Sequence, residues 1–211
     1  MHTVSLAPSI KALMGAPRIF RPQTSHRNRF SPSCFYYLVV FIVVESKRVE
    51  QGRTFVEDEL RQIRSVADFQ FGKGVGVKLF PKNVEILYSK ATGRIRYINL
   101  NGERLATLRP TDGLLSLSIH AAKRIVENGS PVQCLVTVQS DVKQFVAEGS
   151  DVFAAHVVKV DKSVHPRDEV IVVDEDRKVL AVGRALLSSS EMKAFKTGVA
   201  VKVRHGCAKG S

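Results

Sequence analysis

The alternation of apolar and polar positions divides the chain into two orderly series. In VEDELRQIRSVADFQFG, Val56, Leu60, Ile63 and Ala67 return at helical spacing with acids in the first turn, which predicts a helix from about 57 to 68 that ends near Gly72. TGRIRYINLNGERLATLR sets Asn101-Gly102 between two strand-like runs, the signature of a tight hairpin whose turn residues must take positive φ. SIHAAKRIVENG places Ile119, Ala122, Ile125 and Val126 on one side and stops at Gly129, as a short helix with a glycine beyond its end would.

Pro131 opens the second series. Strands are expected at VQCLVTV (132–138), VFAAHVVKV (152–160), EVIVVD (169–174), KVLAVGRALL (178–187) and VAVKVR (199–204). SDVKQFVAEG (140–149) predicts one or two helical turns with Ser140 as N-cap and Gly149 as terminator. In SSSEMKAFKTG, Ser188 and Glu191 have capping-box spacing, with Met192 and Phe195 as the buried side and Gly198 as the stop. The whole predicts an α+β fold: a small α/β domain with an antiparallel sheet over residues 56–130, then a compact β-barrel-like domain over 131–211.

Residues 1–55 follow neither series. The first 44 hold no Asp or Glu, five cations (Lys11, Arg18, Arg21, Arg27, Arg29) and the apolar run FYYLVVFIVV at 35–44. That run is about half of the ~20 residues a bilayer span needs, so no membrane segment is expected. An organellar-type presequence, a flexible basic arm and sequence upstream of the true start all fit this composition.

Charge adds a partner to the picture. The chain has 211 residues, 44% hydrophobic and 25% charged, with 32 Lys and Arg against 20 Asp and Glu for a net charge of +12. Such a chain can bury a core, and its excess of cations fits a polyanion, with nucleic acid first. Residues 61–130 hold 12 basic and 5 acidic side chains, whereas residues 131–211 hold 12 and 10, so a phosphate-binding surface should draw on the middle third. Three cysteines, at 34, 134 and 207, are too few and too far apart for a disulfide framework or a paired zinc motif, which fits a reducing cytoplasm.

Catalytic constellations are missing. There is no phosphate-binding G-x-x-x-x-G-K-[ST] loop and no G-x-S-x-G elbow, and the six histidines lack metal-ligand spacing. GKGVG at 72–76 follows a helix rather than a strand, so a tight turn or close backbone packing is favoured over a nucleotide cradle. Neither cofactor nor metal is expected. What rises above background is cationic. Arg94 and Arg96 alternate with Ile95 and Tyr97, so both would leave one sheet face about 7 Å apart, a spacing suited to neighbouring phosphates. Lys73 and Lys78 flank the glycine turn beside Phe71 and Phe80, which either stack an unpaired base or belong to the core. Lys202, Arg204, His205 and Lys209 make a basic strand end.

These residues also carry a family likeness. VFAAHVVKV after AEG, DEVIVVDEDRKVLAVGRALLSSSEMKAF and GVAVKVRHG resemble the PUA domain, a pseudo-barrel that binds structured RNA, over about 131–206. LRQIRSVADFQFGKGVG, SKATGRIRYI and LATLRPTDGLLSLS resemble the domain that precedes PUA in the archaeal tRNA-guanine transglycosylases that initiate archaeosine formation. Those enzymes work in a (β/α)8 barrel with an Asp pair and a cysteine-rich zinc site, for which this chain has neither the length nor the spacing. The resemblance therefore implies tRNA binding without chemistry of its own, in connection with tRNA modification. By motif, it implies that Gly149, Ser150, Asp151, Val152, Phe153 and Ala154 lie along the acceptor stem and 3′ end, with Arg184, Lys202 and Arg204 on phosphates. In the preceding domain, Phe71, Lys73, Arg94 and Arg96 are the expected RNA contacts. The alternative is a non-catalytic subunit that docks onto a separately encoded tRNA-guanine transglycosylase or other RNA-modification enzyme and grips its RNA in trans, which would show as an exposed apolar patch on residues 56–130.

Overall fold

The computed structural model describes residues 54–127 and 131–208, which belong to one compact unit. Expectations about residues 1–53, and the Gly129 stop, lie outside the described residues. The fold is α+β and contains two sheets. The first is a four-stranded antiparallel meander of β1 (Glu85–Tyr88), β2 (Ile95–Leu100), β3 (Glu103–Leu108) and β4 (Leu115–Leu117), in that spatial order. Helices α1 (Thr54–Phe71), α2 (Val75–Leu79) and α3 (Ile119–Glu127) accompany it.

Local chemistry explains these elements. Leu60, Ile63, Ala67 and Phe71 lie one under another on α1 and are all buried, the stripe that the 3.6-residue period requires. Asn101 and Gly102 have φ of 53° and 82°, so the β2–β3 turn is the left-handed pair that matches strand twist. The glycine-rich turn after α1 is a packing device. A Cβ on Gly76 would stand 2.2 Å from the Arg64 carbonyl oxygen of α1, and the Gly76 N–H donates to Asp68 Oδ1 at 2.6 Å. The backbones of α1 and α2 thus touch where a nucleotide cradle would need open space.

The second sheet has six strands in the order β6-β10-β9-β8-β5-β7 and curls into a barrel-like form. They are β5 (Leu135–Val138), β6 (Val152–Phe153), β7 (Val157–Val160), β8 (Glu169–Val173), β9 (Val179–Ala185) and β10 (Val199–Gly206), with helices α4 (Lys143–Ala147) and α5 (Ser189–Ala194). Its neighbours pair antiparallel except β5 with β8. Three expectations need correction. VFAAHVVKV is not one strand: a 3-10 turn at Ala154–His156 splits it, and its halves become opposite edges of the sheet. The Ala154 N–H donates to Gly198 and the Gln139 N–H to His156, so each half answers to a different long-range partner. Ser140 does not cap α4, because the Val142 N–H first turns back to Gln139 and the helix starts with no side-chain cap. Met192 is buried but Phe195 is 46% exposed, since α5 ends before it and Phe195 takes extended backbone. The Ser188–Glu191 capping box is present; the hydrogen bonds from Ser188 hold the Glu191 carboxyl below its ordinary range.

Strand β8 is buried along its whole length. Val170 and Val172 join the core inside the second sheet, whereas Ile171 and Val173 join the core under α1 and the first sheet. Glu169 shares the parity of Ile171 and Val173, so its carboxylate meets β4, an edge strand with unpaired backbone groups. The Leu117 N–H donates to Glu169 Oε1 at 2.8 Å. Arg204 of β10 completes the joint: Nη1 donates to Glu169 Oε2 at 2.9 Å, Nη2 to the Leu117 carbonyl at 2.8 Å, and Nη2 also pairs with Glu169 Oε1. The Glu169 side chain is wholly buried and that of Arg204 one-third exposed.

Two outcomes follow from this joint. Arg204→Ala strands a buried carboxylate and should cost about 3 kcal/mol in a denaturant titration, the low end of the usual range because Arg204 is partly solvated. His205, next along β10, is held below the ordinary histidine value by burial and then by the Arg204 charge. Because its folded value is depressed, its share of stability is present above about pH 6.5 and is lost as pH falls through the folded midpoint. An NMR titration of the His205 ring should show that low midpoint, and Arg204→Ala should raise it.

Candidate nucleic-acid interface

A half-open groove of about 330 Å³ runs between α4 and β6. Its apolar walls include two phenylalanines that a soluble core would have taken in: Phe145 is 61% and Phe153 49% exposed. Ser150, Asp151, Val152 and His156 complete the lining with Val142 and Val146. The loop between α4 and β6 is fixed by its backbone. Gly149 has φ of 100°, its N–H donates to the Val146 carbonyl and that of Ser150 to the Phe145 carbonyl at 2.9 Å, the pair of hydrogen bonds that closes a helix with a left-handed residue. Asp151 then pins the loop to β10: Oδ1 accepts the Val203 N–H at 2.9 Å and Oδ2 the Lys202 ammonium at 2.7 Å. His156 Nδ1 lies 3.2 Å from Gln139 Oε1, which orients the ring at the groove wall.

The expected contact residues are therefore partly assembled. Ser150, Asp151, Val152 and Phe153 line this groove, while Gly149 shapes the loop that leads into it; the side chains of Val152 and Ala154 pack into the second core. Lys202 and Arg184 are direct cross-strand neighbours on β10 and β9. Lys202 is exposed despite its pair with Asp151; an exposed pair of this kind is worth little, so a phosphate can compete for the ammonium. Arg204 is a correction. Its guanidinium is committed to Glu169 and Leu117, so it holds the fold rather than a phosphate.

On the first half, Phe71 is also corrected: it is fully buried at the end of α1 and has no face to offer a base. Lys73 is exposed in the following turn. Arg96 lies in β2, but Arg94 precedes it, in a turn where its carbonyl accepts the Ser89 N–H. Arg96 is matched with a residue the sequence did not single out, Arg104 of β3: their guanidinium carbons stand 5.2 and 4.1 Å from the Tyr97 ring centroid. Phe145 and Glu169 were missed as well. A lone acid heading the otherwise apolar run EVIVV was the available signal for Glu169, since such a position needs a cation beside it. Among the described residues, no group of His, Cys, Asp and Glu is placed to hold a metal ion, and no helix is long and apolar enough to cross a membrane.

Residues 61–131 match the patch-forming domain C2 of tRNA-guanine transglycosylase, and residues 135–207 match the PUA domain. A tRNA-guanine(15) transglycosylase of Methanobrevibacter smithii is 39% identical over 155 residues, which are 74% of this chain and 24% of that protein. The chain thus spans about a quarter of the length of the curated relatives it matches. Among solved structures, a hypothetical protein of Pyrococcus horikoshii OT3 is 25% identical with a TM-score of 0.60, over 73% of this chain and 93% of that one. A conserved PUA domain protein of Thermoplasma acidophilum shares the fold at 20% identity and a TM-score of 0.53, over 74% and 91% of the two chains. A transglycosylase-type C2 domain followed by a PUA domain, the pair found in the C-terminal region of archaeal tRNA-guanine(15) transglycosylases, therefore makes up the described part of this chain.

Proposed function

We propose that this chain binds structured RNA in the setting of tRNA modification, and that its ligand is tRNA gripped at the acceptor stem and 3′ end. The observation that carries this reading is the groove between Phe145 and Phe153, an apolar slot open to solvent beside the basic pair Arg184 and Lys202. Unpaired bases stack on exposed aromatic rings while cations track the adjoining backbone, a division of labour that single-stranded ends require. The net charge of +12 adds a salt-dependent attraction to any phosphate chain. Lys73, Arg94, Arg96 and Arg104, all exposed on the first half, extend the cationic surface along a helical stem.

A second reading, docking onto a separately encoded catalytic transglycosylase subunit, draws on exposed apolar residues of the first half. Phe69 is 67% and Val77 58% exposed, with Leu87 and Tyr88 on the edge strand β1 also open to solvent. Both readings allow RNA binding, and they differ in where burial of the first half occurs.

The test is titration of the full chain with tRNA, with and without its 3′ CCA, across a salt series. Removal of CCA should weaken binding about tenfold, the value of one or two stacked bases, and Phe153→Ala should erase that difference. Lys202→Ala should lower the salt slope by about one contact without touching the CCA dependence. Equal affinity for both tRNAs, unmoved by Phe153→Ala, would remove the acceptor-end reading and leave a general basic surface.

A further inference from the structure

A second cavity, of about 450 Å³, shares no residue with the groove. Its floor is the sheet row Lys159–Thr137–Val173, contributed by β7, β5 and β8 in register. Pro131 and Val132 wall one side, and Arg177 of the β8–β9 turn also lines it. Leu135 and Asp161 form the next row, held together because Asp161 Oδ2 accepts the Leu135 N–H at 2.8 Å. Neither Lys159 nor Arg177 makes an ion pair among the described residues.

Arg177 is the unexpected part. It closes a three-residue hairpin loop with φ of 62°, the position at which such loops prefer glycine or asparagine because a Cβ is strained there. The surrounding turn leaves it no alternative. Asp174 is almost wholly buried, its Oδ1 accepts the Lys178 N–H at 2.7 Å, and its carbonyl accepts the Arg177 N–H at 3.0 Å. Arg177 thus holds a bulky cation at the wall of the cavity, at a backbone position that glycine would take without strain.

We propose that this cavity binds a single nucleotide as its nucleoside monophosphate unit. Lys159 and Arg177 take the phosphate, the guanidinium as a planar two-pronged donor. Asp161 and the Thr137 hydroxyl meet the ribose hydroxyls, the pairing of acid and sugar seen wherever a ribose is held by a carboxylate. Val132 and Leu135, both partly exposed, provide the apolar bed for the base. The volume falls within the usual span for small-ligand sites. The same chemistry is presented by a free nucleotide and by one unpaired nucleotide of an RNA strand.

The full chain titrated with AMP, CMP, GMP and UMP, with adenosine and inorganic phosphate as controls, separates these cases by NMR amide shifts and equilibrium dialysis. At least one monophosphate should shift the Thr137, Lys159 and Arg177 amides, and both controls should bind at least tenfold more weakly. Arg177→Gly and Arg177→Asn should each lower that affinity about tenfold while leaving the melting temperature equal or higher, an opposition of signs that a structural role for Arg177 would not give. If the monophosphate competes with tRNA, the source is an RNA nucleotide; if it binds without competing, the source is the free nucleotide. Absence of shifts at these amides with all four monophosphates and with tRNA overturns the proposal, as does binding that Arg177→Gly leaves intact. Because the acceptor-end reading is tested through Phe153 and CCA, either idea can fail without the other.

Discussion

The buried carboxylate of Glu169 governs how the two halves of this chain meet. Water would solvate it if the halves parted; in the folded chain its oxygens are instead satisfied by Arg204 and by the Leu117 N–H of the first sheet's edge strand. An isolated charge at that depth would be very costly, so Glu169 and Arg204 are present together or the junction fails. The same contacts cover an edge that would otherwise expose unpaired backbone groups to other chains. β8, which lends alternate residues to two cores, makes this joint rigid through packing as well as charge.

For the proposed recognition of a structured RNA, a rigid joint has a functional meaning. The groove between α4 and β6 and the exposed arginines around Tyr97 lie on different halves, and a duplex stem is recognised by the spacing of contacts along its backbone as much as by any one of them. Holding both surfaces on one unit removes the entropy of orienting them when RNA arrives. The loop 149–151 follows the same economy: Gly149 closes α4 and Asp151 ties the chain to β10, so the groove is formed before it is filled.

Where structure is decided by neighbours in sequence, the chain was legible. The α1 stripe, the Asn101-Gly102 hairpin and the Ser188–Glu191 box each depend on contacts a few residues apart, and each is where the pattern placed it. VFAAHVVKV misled because every residue in it suits a strand, while the partners that split it, Gly198 and Gln139, are remote or belong to another turn. Side-chain roles were harder for the same reason. Phe71 falls on the same helical stripe as Leu60, Ile63 and Ala67, a local sign of burial that the pairing with Lys73 obscured; nothing local distinguishes Arg204, consumed by Glu169, from Lys202, two residues earlier and open to solvent. The expectation of RNA contacts at Gly149, Ser150, Asp151 and Phe153 rests on the family likeness rather than on composition or periodicity.

Hydroxyl-radical footprinting of tRNA on the full chain bears most directly on the claim that one preformed surface reads the acceptor end. The account predicts protection confined to the acceptor stem and 3′ end, with the 3′ end lost selectively on Phe153→Ala and the stem retained. Protection spread evenly along the tRNA, or centred on the anticodon arm, would contradict it.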